Sequence, residues 1–361
     1  METLIPTEQL YQVIRKLDPA KQEEALKHLR NSLRCLAVDS LYLLSREILG
    51  YDQIQEEPHR EVAAFIEKWN KNKKMLLLAR GTFKTSLGTI AYSIQQILQN
   101  PDIRILIASE TYHQSITILR EIKAKFESEQ FKSFYGNWAG ELWRDSEIAV
   151  NRRTVKRRDP TISCAGIDKA MAGAHFDLII VDDAHSQKNT NNSDQIEQVK
   201  HWYRLLLSVL EPKGRIMVLG TIWDYNDLYM MIQNELSESY DIMSKPAVED
   251  GKLFFPARLT AEFLEAQRKE QGDYVYSTQY LLKPIPTSLQ TFKEADIRFY
   301  EEAPDNLTVY ITCDPSLTEE EKSRGDYTAI VVVGIDDKND WYLLDLVNEH
   351  LSPDKINQKL F

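Results

Sequence analysis

A strand that ends in a lysine-containing turn constrains this chain more than any other sequence feature. The apolar run at residues 74–79 is followed at once by Arg80-Gly81-Thr82-Phe83-Lys84-Thr85-Ser86. A buried strand, a turn and a Lys-Thr pair at a helix start are the layout of a phosphate-binding loop. In such a loop, backbone N–H groups bind the phosphates, the lysine contacts the β- and γ-phosphates, and the hydroxyl binds Mg²⁺. The match to G-x-x-x-x-G-K-[ST] is incomplete, because Leu78 and Phe83 occupy the glycine positions and Gly81 alone is permissive.

A second apolar strand, at residues 176–182, ends in two carboxylates. Residues 178–181 are all apolar and three of them are β-branched, which is typical of a strand buried on both faces of a parallel sheet. Asp182 and Asp183, at its carboxyl end, lie where open α/β sheets bind ligands. In a P-loop enzyme, Asp182 would hold Mg²⁺ through water, and Asp183 would orient and deprotonate the attacking water. The alternative is a solvated acidic turn, which the upstream Lys84 disfavours.

A third apolar strand, at residues 214–220, ends in Gly220-Thr221. By itself, this pair is ordinary turn chemistry. The order of the three motifs along the chain is more informative, because Lys-Thr, Asp-Asp and Gly-Thr each follow a predicted parallel strand. Beside the other two strands, Thr221 would sense the γ-phosphate and pass its loss to the rest of the chain.

Composition indicates a soluble intracellular protein. The 361 residues are 43% hydrophobic and 27% charged, and no apolar run approaches the ~18 residues of a membrane span. The start of the chain lacks the basic and apolar regions of a signal peptide. Three isolated cysteines, Cys35, Cys164 and Cys313, have no metal or redox spacing and favour a reducing compartment. We therefore expect no membrane association and a cytoplasmic location.

The pattern of periodicities predicts a helical start, an α/β middle and a separate C-terminal part. Thr7 and Asp18 are candidate caps for two helices in residues 1–50, the second of which would run from Pro19 toward Gly50. Strands predicted at 74–79, 103–108, 161–165, 177–182 and 214–220 alternate with helices predicted at 84–99, 111–129, 193–210 and 225–237. This alternation implies a parallel sheet covered on both sides. A further helix is predicted from Thr260 to Gln271, and the prolines at 284 and 286 indicate a linker.

The pattern changes after the linker. A strand at residues 308–314 ends in Asp314, and the segments 327–335 and 341–347 flank a turn at 336–340, which predicts an antiparallel pair. Three strands with a carboxylate on the first are how an RNase H-like nuclease begins. Such folds cut phosphodiesters with two metal ions held by carboxylates.

From about residue 40 onward, these motifs resemble the large subunit of the tailed-bacteriophage terminase, the DNA-packaging motor. The resemblance rests on the residues 80–86, 176–183 and 214–221, and on Thr312-Cys313-Asp314-Pro315-Ser316 at the start of the nuclease. It implies an α/β, P-loop (ASCE/RecA-like) ATPase with a parallel sheet and an N-terminal helical subdomain, followed by the first strands of an RNase H-like domain. The expected domains are residues 1–50, 51–283 with lid helices near the end, a linker at 284–306, and a partial nuclease at 307–361.

The resemblance also implies site residues. Arg80 would brace the phosphates, and the Tyr51–Arg60 region would hold adenine, with Tyr51 and His59 as candidate contacts. Thr85 and Asp182 would hold Mg²⁺, and Asp314 and Asp326 would hold Mg²⁺ or Mn²⁺ in the nuclease. Many relatives carry Glu where Asp183 stands, so the reach of the second acid is shorter by one methylene. Further nuclease acids would lie beyond Phe361, so an inactive partial nuclease is expected.

The function implied is an ATP-driven translocase that packages concatemeric double-stranded viral DNA into procapsids in the host cytoplasm, with an endonuclease that cuts the DNA. Expected partners are the small terminase subunit, the portal protein of the procapsid, and copies of the chain itself in a ring. One alternative is a non-hydrolysing nucleotide-binding assembly module, which the missing loop glycines favour. Another is a P-loop helicase, which residues 290–361 disfavour because they do not resemble a second motor domain.

A basic run stands out against the net charge of −11. Residues 152–158 contain five cations, with Arg152, Arg153, Arg157 and Arg158 among them. Because the run precedes a strand of the sheet, we expect it near the nucleotide pocket or a DNA track. Its roles would be phosphate contact with DNA or an arginine finger for a neighbouring subunit. A solvated loop is the alternative.

Overall fold

The computed structural model describes residues 13–168, 173–190, 192–284, 298–315, 327–349 and 351–360. The chain forms two compact units, residues 1–287 and 288–361. Three sequence predictions fall wholly or in large part outside the described residues: the helix capped by Thr7, the linker at 284–306 and the metal ligand Asp326. Among the described residues, none of the helices combines the length and apolar content that a membrane crossing needs.

An eight-stranded sheet organises the first unit, in the order β3-β4-β5-β2-β6-β7-β1-β8. The six strands from β5 to β8 in that order run parallel, while β4 pairs antiparallel with both β3 and β5. The predicted parallel α/β fold class is therefore confirmed. The strands are β1 Lys73–Leu78, β2 Ile105–Ser109, β3 Ala139–Trp143, β4 Glu147–Val150, β5 Ile162–Gly166, β6 Phe176–Asp182, β7 Leu210–Gly220 and β8 Tyr240–Lys245.

Helices cover both faces of this sheet, because the central strands are apolar on both sides. One core joins α1, α2, α3 and α4 to the sheet, and a second core joins α6 and α7 to its other face. The helices are α1 Pro19–Asp39, α2 Glu56–Glu67, α3 Ser86–Ala91 continuing as Tyr92–Gln99, α4 Tyr112–Glu127, α5 Glu129–Tyr135, α6 Ser193–Ser208, α7 Leu228–Glu235 and α8 Ala261–Gln279.

The five predicted strands and the four helices that alternate with them, the last of which follows β7, are confirmed with ends shifted by a few residues. The prediction missed the β3–β4 hairpin and β8, and also a small hairpin of β9 Val248–Glu249 and β10 Lys252–Leu253. These segments are short or lie at sheet edges, where burial is partial and the apolar pattern is weak. The helix predicted to end at Gln271 continues to Gln279 through an irregular turn at Gly272, where φ is +81°.

The N-terminal helix confirms its predicted cap but not its predicted length. The Asp18 carboxylate accepts a hydrogen bond from the Lys21 N–H at 3.2 Å, and Pro19 opens α1. The prediction of a single helix running toward Gly50 is wrong, because α1 ends at Asp39 and Ser40 caps a new turn. Two short helical segments, Leu41–Leu43 and Leu44–Ile48, follow.

A buried lysine fixes α2 to β1. Lys74 is fully buried on β1, and its ammonium donates to the carbonyl oxygens of Ile66 at 3.0 Å and Lys68 at 2.9 Å. These carbonyls lie at the C-terminal end of α2, where a cation satisfies otherwise unpaired acceptors. Burial lowers the pKa of Lys74 to about 8. The bond holds the strand that carries the phosphate loop against the helix that precedes it.

The second unit contains a three-stranded antiparallel sheet in the order β11-β12-β13, comprising Thr308–Asp314, Thr328–Ile335 and Trp341–Glu349. The predicted antiparallel pair across the turn at 336–340 is confirmed. Helix α9, Pro353–Leu360, follows and packs Ile356 against Ile330.

Candidate nucleotide-binding site

The loop between β1 and α3 turns sharply through two residues with positive φ. Gly81 has φ +84° and Phe83 has φ +60°. Phe83 occupies the position that holds glycine in the usual phosphate loop, and it adopts the left-handed conformation that glycine takes without strain. Thr82 stabilises the turn, because its buried hydroxyl donates to the Ala79 carbonyl at 2.7 Å. The turn is therefore formed with phenylalanine, rather than glycine, in the left-handed conformation.

Aromatic packing holds Phe83 in this conformation. Its ring lies 5.7 Å from the ring of His59 and 6.2 Å from that of Phe255, and the Arg258 guanidinium lies 4.8 Å from its centroid. His59 is fully buried, and its Nδ1 accepts a hydrogen bond from the Gln55 N–H at 3.1 Å. These contacts offset the strain of a non-glycine residue at positive φ.

Asp182, at the end of β6, is buried against the start of α3. Its Oδ2 accepts from the Thr89 hydroxyl at 2.6 Å and its Oδ1 accepts from the Thr85 hydroxyl at 3.2 Å. Burial, followed by the nearby Asp183 charge, raises the pKa of Asp182 to about 6, while Lys84 and the two hydroxyls oppose the rise. The predicted Thr85–Asp182 pair is thus brought together in a site with the oxygen donors that Mg²⁺ prefers.

Lys84 and Asp183 also meet. The Lys84 ammonium lies 2.6 Å from Asp183 Oδ1, with the lysine nearly buried and the carboxylate half-exposed. Asp183 has φ +48°, which aspartate tolerates better than most residues. The β-sheet explains the convergence, because α3 begins after β1 and packs over the end of β6, two strands away.

Polar bonds from α7 fix the turn after Asp183. The Tyr229 hydroxyl accepts from the Ala184 N–H at 3.0 Å, and His185 Nε2 accepts from the Leu228 N–H at 3.0 Å. Burial lowers the pKa of His185 to about 4, so the ring is neutral and able to accept. Gly220 is required here, because a Cβ at this position would collide with the Tyr229 ring.

Thr221 and Arg80 are joined by a residue that the sequence interpretation missed. Gln279, the last residue of α8, donates from Nε2 to Thr221 Oγ1 at 3.3 Å. Its Oε1 accepts from Arg80 Nη1 at 3.4 Å. No local pattern marks this glutamine, which lies 199 positions from Arg80.

Several of these groups line one cavity of about 450 Å³. Residues 79–86 form one side, and Asp183, Thr221 and Gln279 contribute from the strand ends and α8. Glu110 also lines it and accepts from the Ser186 hydroxyl at 2.6 Å. The position of Glu110 directly after β2, a predicted strand, was a signal that the sequence interpretation did not use. A lysine, an arginine and a helix start facing one cavity make a site suited to a polyanion such as a triphosphate.

Other predicted site residues lie elsewhere. Neither Tyr51 nor His59 lines this cavity. The Tyr51 hydroxyl donates to Glu121 at 2.6 Å and its ring lies 3.9 Å from the Lys125 ammonium, whereas His59 supports Phe83 from beneath. Asp314 is exposed at the end of β11. Within the described part of the chain, no three His, Cys, Asp or Glu side chains are grouped as a metal site.

The basic run at residues 152–158 does not lie near the nucleotide pocket of its own chain, so this part of the expectation is wrong. The run occupies the loop before β5, where the Asp102 carboxylate accepts from the Thr154 and Val155 N–H groups, both at 2.9 Å. Arg157 lies 4.0 Å from Asp177, at the start of β6. Asp177 and Asp182 are five residues apart on this strand, which is about 17 Å. The run therefore lies at the amino edge of the sheet, opposite the cavity.

The T3 terminase shares sequence with this chain. The large terminase subunit of Enterobacteria phage T3 is 24% identical over an alignment of 283 residues, which covers 73% of this chain. The chain is similar to large terminase subunits. This match confirms the resemblance drawn from the motifs. The chain spans 45% of the length of the T3 protein. A comparison with protein-family profiles finds no match.

Solved large terminases are among the structures similar to this chain. The HK97 bacteriophage large terminase gives a TM-score of 0.46 at 12% identity, covering 96% of this chain and 67% of that protein. The ATPase domain of the Thermus phage P74-26 large terminase, in an arginine-to-alanine mutant form, gives 0.46 at 16% identity, covering 66% of this chain and 97% of the domain. The large terminase of a thermophilic bacteriophage, in complex with ATP-γ-S, gives 0.41 at 10% identity, covering 88% of this chain and 71% of that protein.

Proposed function

We propose that this chain binds and hydrolyses ATP as the motor part of a viral DNA-packaging machine. The observation that carries the proposal is that Lys84, Thr85 and Asp183 line one cavity, with Thr85 bonded to the buried Asp182 and Lys84 to Asp183. Two sequence motifs that are far apart in the chain thus meet at this cavity, and Thr221 of the third motif also lines it. The similarity to the T3 terminase supports packaging as the use of that site.

Each residue has a role that follows from its position. The backbone of residues 81–85 and the Lys84 ammonium would bind the β- and γ-phosphates, and Arg80 would brace them. Thr85 and Asp182 would hold Mg²⁺, which would neutralise charge on the phosphates. Once Lys84 turns to the phosphates, Asp183 is released to orient and deprotonate a water. Thr221 would sense whether the γ-phosphate is present.

The wider activity of the packaging machine belongs to the same proposal. By the resemblance drawn from the motifs, the translocated substrate would be double-stranded DNA, and the partners would be the small terminase subunit, the portal protein and a ring of identical subunits. In the second unit, Asp314 and Asp326 would contribute to a nuclease metal site that needs further carboxylates. We propose the host cytoplasm as the location.

Phosphate release by the Asp183→Asn variant tests the proposal. With DNA and the assembled partners present, we expect turnover to fall on the order of 10²–10⁴-fold, as for a lost catalytic base. ATP binding should persist, because the variant frees Lys84. Asp250→Asn is the matched control, since Asp250 is exposed and has φ +49°, close to the +48° of Asp183.

Equal turnover in Asp183→Asn and the parent protein would remove Asp183 from the mechanism. If the parent protein binds ATP but releases no phosphate with DNA and partners, the chain is a nucleotide-binding assembly module instead.

A further inference from the structure

Gln279 connects the two ends of the phosphate cavity through both its backbone and its side chain. Its carbonyl accepts from the Arg80 N–H at 2.9 Å, and its amide oxygen accepts from the Arg80 guanidinium at 3.4 Å. Its amide nitrogen donates to the Thr221 hydroxyl at 3.3 Å. The side chain is 3% exposed and lines the cavity. A carboxamide suits this place because it is an acceptor and a donor at once.

The C-terminal end of α8 is docked onto the carboxyl edge of the sheet around Gln279. The Tyr280 carbonyl accepts from the Ala247 N–H at 2.7 Å, just past β8. The Ser277 hydroxyl donates to the Lys283 carbonyl at 2.6 Å, and the Lys283 N–H donates back to the Ser277 carbonyl at 3.0 Å. This buried turn continues in sequence toward residues 288–361. A change at Gln279 is therefore a change in the segment that leaves the ATPase sheet.

The bond between Arg80 and the Gln279 amide is weak compared with what a phosphate offers. At 3.4 Å it is at the long end of the hydrogen-bond range, and its acceptor is neutral. A phosphate is charged and can accept two parallel bonds from a guanidinium, whereas the amide oxygen is a single neutral acceptor. When phosphates fill the cavity, Arg80 exchanges partners and the Gln279 amide oxygen is released, while the Thr221 bond remains.

We propose that Gln279 is a positioning residue that couples occupancy of the phosphate cavity to the turn at residues 277–283. The inference rests on the proposed nucleotide binding and adds a connection from the cavity, through Gln279, to the turn after α8. With the cavity empty, Arg80 and Thr221 together hold the end of α8. With phosphates bound, one of the two side-chain bonds is lost and the turn opens more readily.

Hydrogen exchange with and without ATPγS and Mg²⁺ tests this coupling. In the parent chain, we expect the amides of Tyr280 and Lys283 to exchange at least about fivefold faster with nucleotide, which is the low end of typical coupling. The Gln279→Met variant keeps the size but loses both side-chain bonds. Its exchange at these two amides should be the same with and without nucleotide. Glu270→Met, on an exposed position of the same helix, is the control and should behave as the parent.

A second variant separates positioning from folding. Gln279→Glu offers Arg80 a charged acceptor, which holds the guanidinium in place and adds repulsion toward phosphate. We expect its Kd for a fluorescent ATP analogue to rise on the order of tenfold, with an unchanged melting temperature, whereas a purely structural residue would change the melting temperature first.

The outcomes are distinguishable. If ATPγS does not bind the parent chain, the proposed function fails and the coupling with it. If it binds, and Gln279→Met still shows the parent's nucleotide-dependent exchange, the coupling alone is overturned.

Discussion

Lys84 Nζ and Asp183 Oδ1 lie 2.6 Å apart, and this ion pair joins the phosphate loop to the acidic end of β6. The lysine side chain is 10% exposed and the aspartate 48%, so water reaches the carboxylate more easily than the ammonium. Each group serves as counter-ion for the other. A triphosphate that enters the cavity must therefore compete with Asp183 for Lys84, and its binding sets the carboxylate free.

Removal of Lys84 tests this competition. We expect Lys84→Ala to weaken ATP binding by roughly 10–100-fold, because a charge-assisted bond to phosphate is worth about 1.5–3 kcal/mol. The Kd of a fluorescent ATP analogue measures the effect. Lys213→Ala removes an exposed lysine from β7 as the control. An unchanged Kd in Lys84→Ala would mean that the phosphates bind elsewhere.

Two substitutions of Phe83 separate backbone strain from packing. Both Phe83→Ala and Phe83→Gly lose the contacts with His59 and Phe255, which we expect to cost about 1–3 kcal/mol of unfolding free energy. Glycine accepts φ +60° without strain, whereas alanine does not. Phe83→Gly should therefore be more stable than Phe83→Ala by roughly 1 kcal/mol in urea unfolding. The reverse order would show that the loop relaxes out of the left-handed conformation.

His185 predicts a stability loss in mild acid. Burial lowers its pKa from 6.5 to about 4, and Lys200 lowers it further while the Asn189 bond opposes. The pKa of His185 is lower in the folded state than in the unfolded state. The contribution of the neutral ring to folding stability is therefore complete above pH 6.5 and is lost as the pH falls toward 4. Between pH 6.5 and 4, the parent protein should lose about 3 kcal/mol more unfolding free energy than the His185→Gln variant. The amide oxygen of the glutamine can still accept from the Leu228 N–H.

Urea unfolding at several pH values measures this difference. His113→Gln, at an exposed histidine, should leave the His185-dependent loss in place. Parallel pH profiles for the parent and His185→Gln would contradict the assignment.

The sequence predicts the parts of the site that follow from local pattern. Lys84, Asp182 and Thr221 each lie within a few residues of the end of an apolar run, and parallel strands bring their ends to one edge. The roles assigned to these residues remain predictions. The position of Gln279 and the contact between the tilted rings of His59 and Phe83 depend on long-range packing, for which no local pattern exists. Residues that precede a parallel strand lie at the amino edge of the sheet. Applied to the residues before β5, this rule would have placed the basic run at the edge opposite the cavity.

We expect the basic run to act outside the cavity, through its exposed arginines. Arg153 donates to the Asp159 carbonyl at 2.8 Å and is partly buried, so it stabilises its own loop, whereas Arg152 and Arg158 are exposed. We expect the double variant Arg152→Ala, Arg158→Ala to bind double-stranded DNA with a shallower dependence on salt. Each lost phosphate contact reduces the slope of log K against log salt by about 0.9, so the pair should reduce it by roughly 1.8.

Fluorescence anisotropy of labelled duplex at several salt concentrations measures this slope. Arg153→Ala is the informative comparison, because it should lower the melting temperature while the salt slope stays as in the parent. An arginine finger would give a different result: the exposed pair would then lower ATP turnover at saturating DNA without changing the slope. If the double variant changes neither the salt slope nor the turnover, the run is a solvated loop. No further role in catalysis is then left for it, because the run lies at the amino edge of the sheet, opposite the cavity of its own chain.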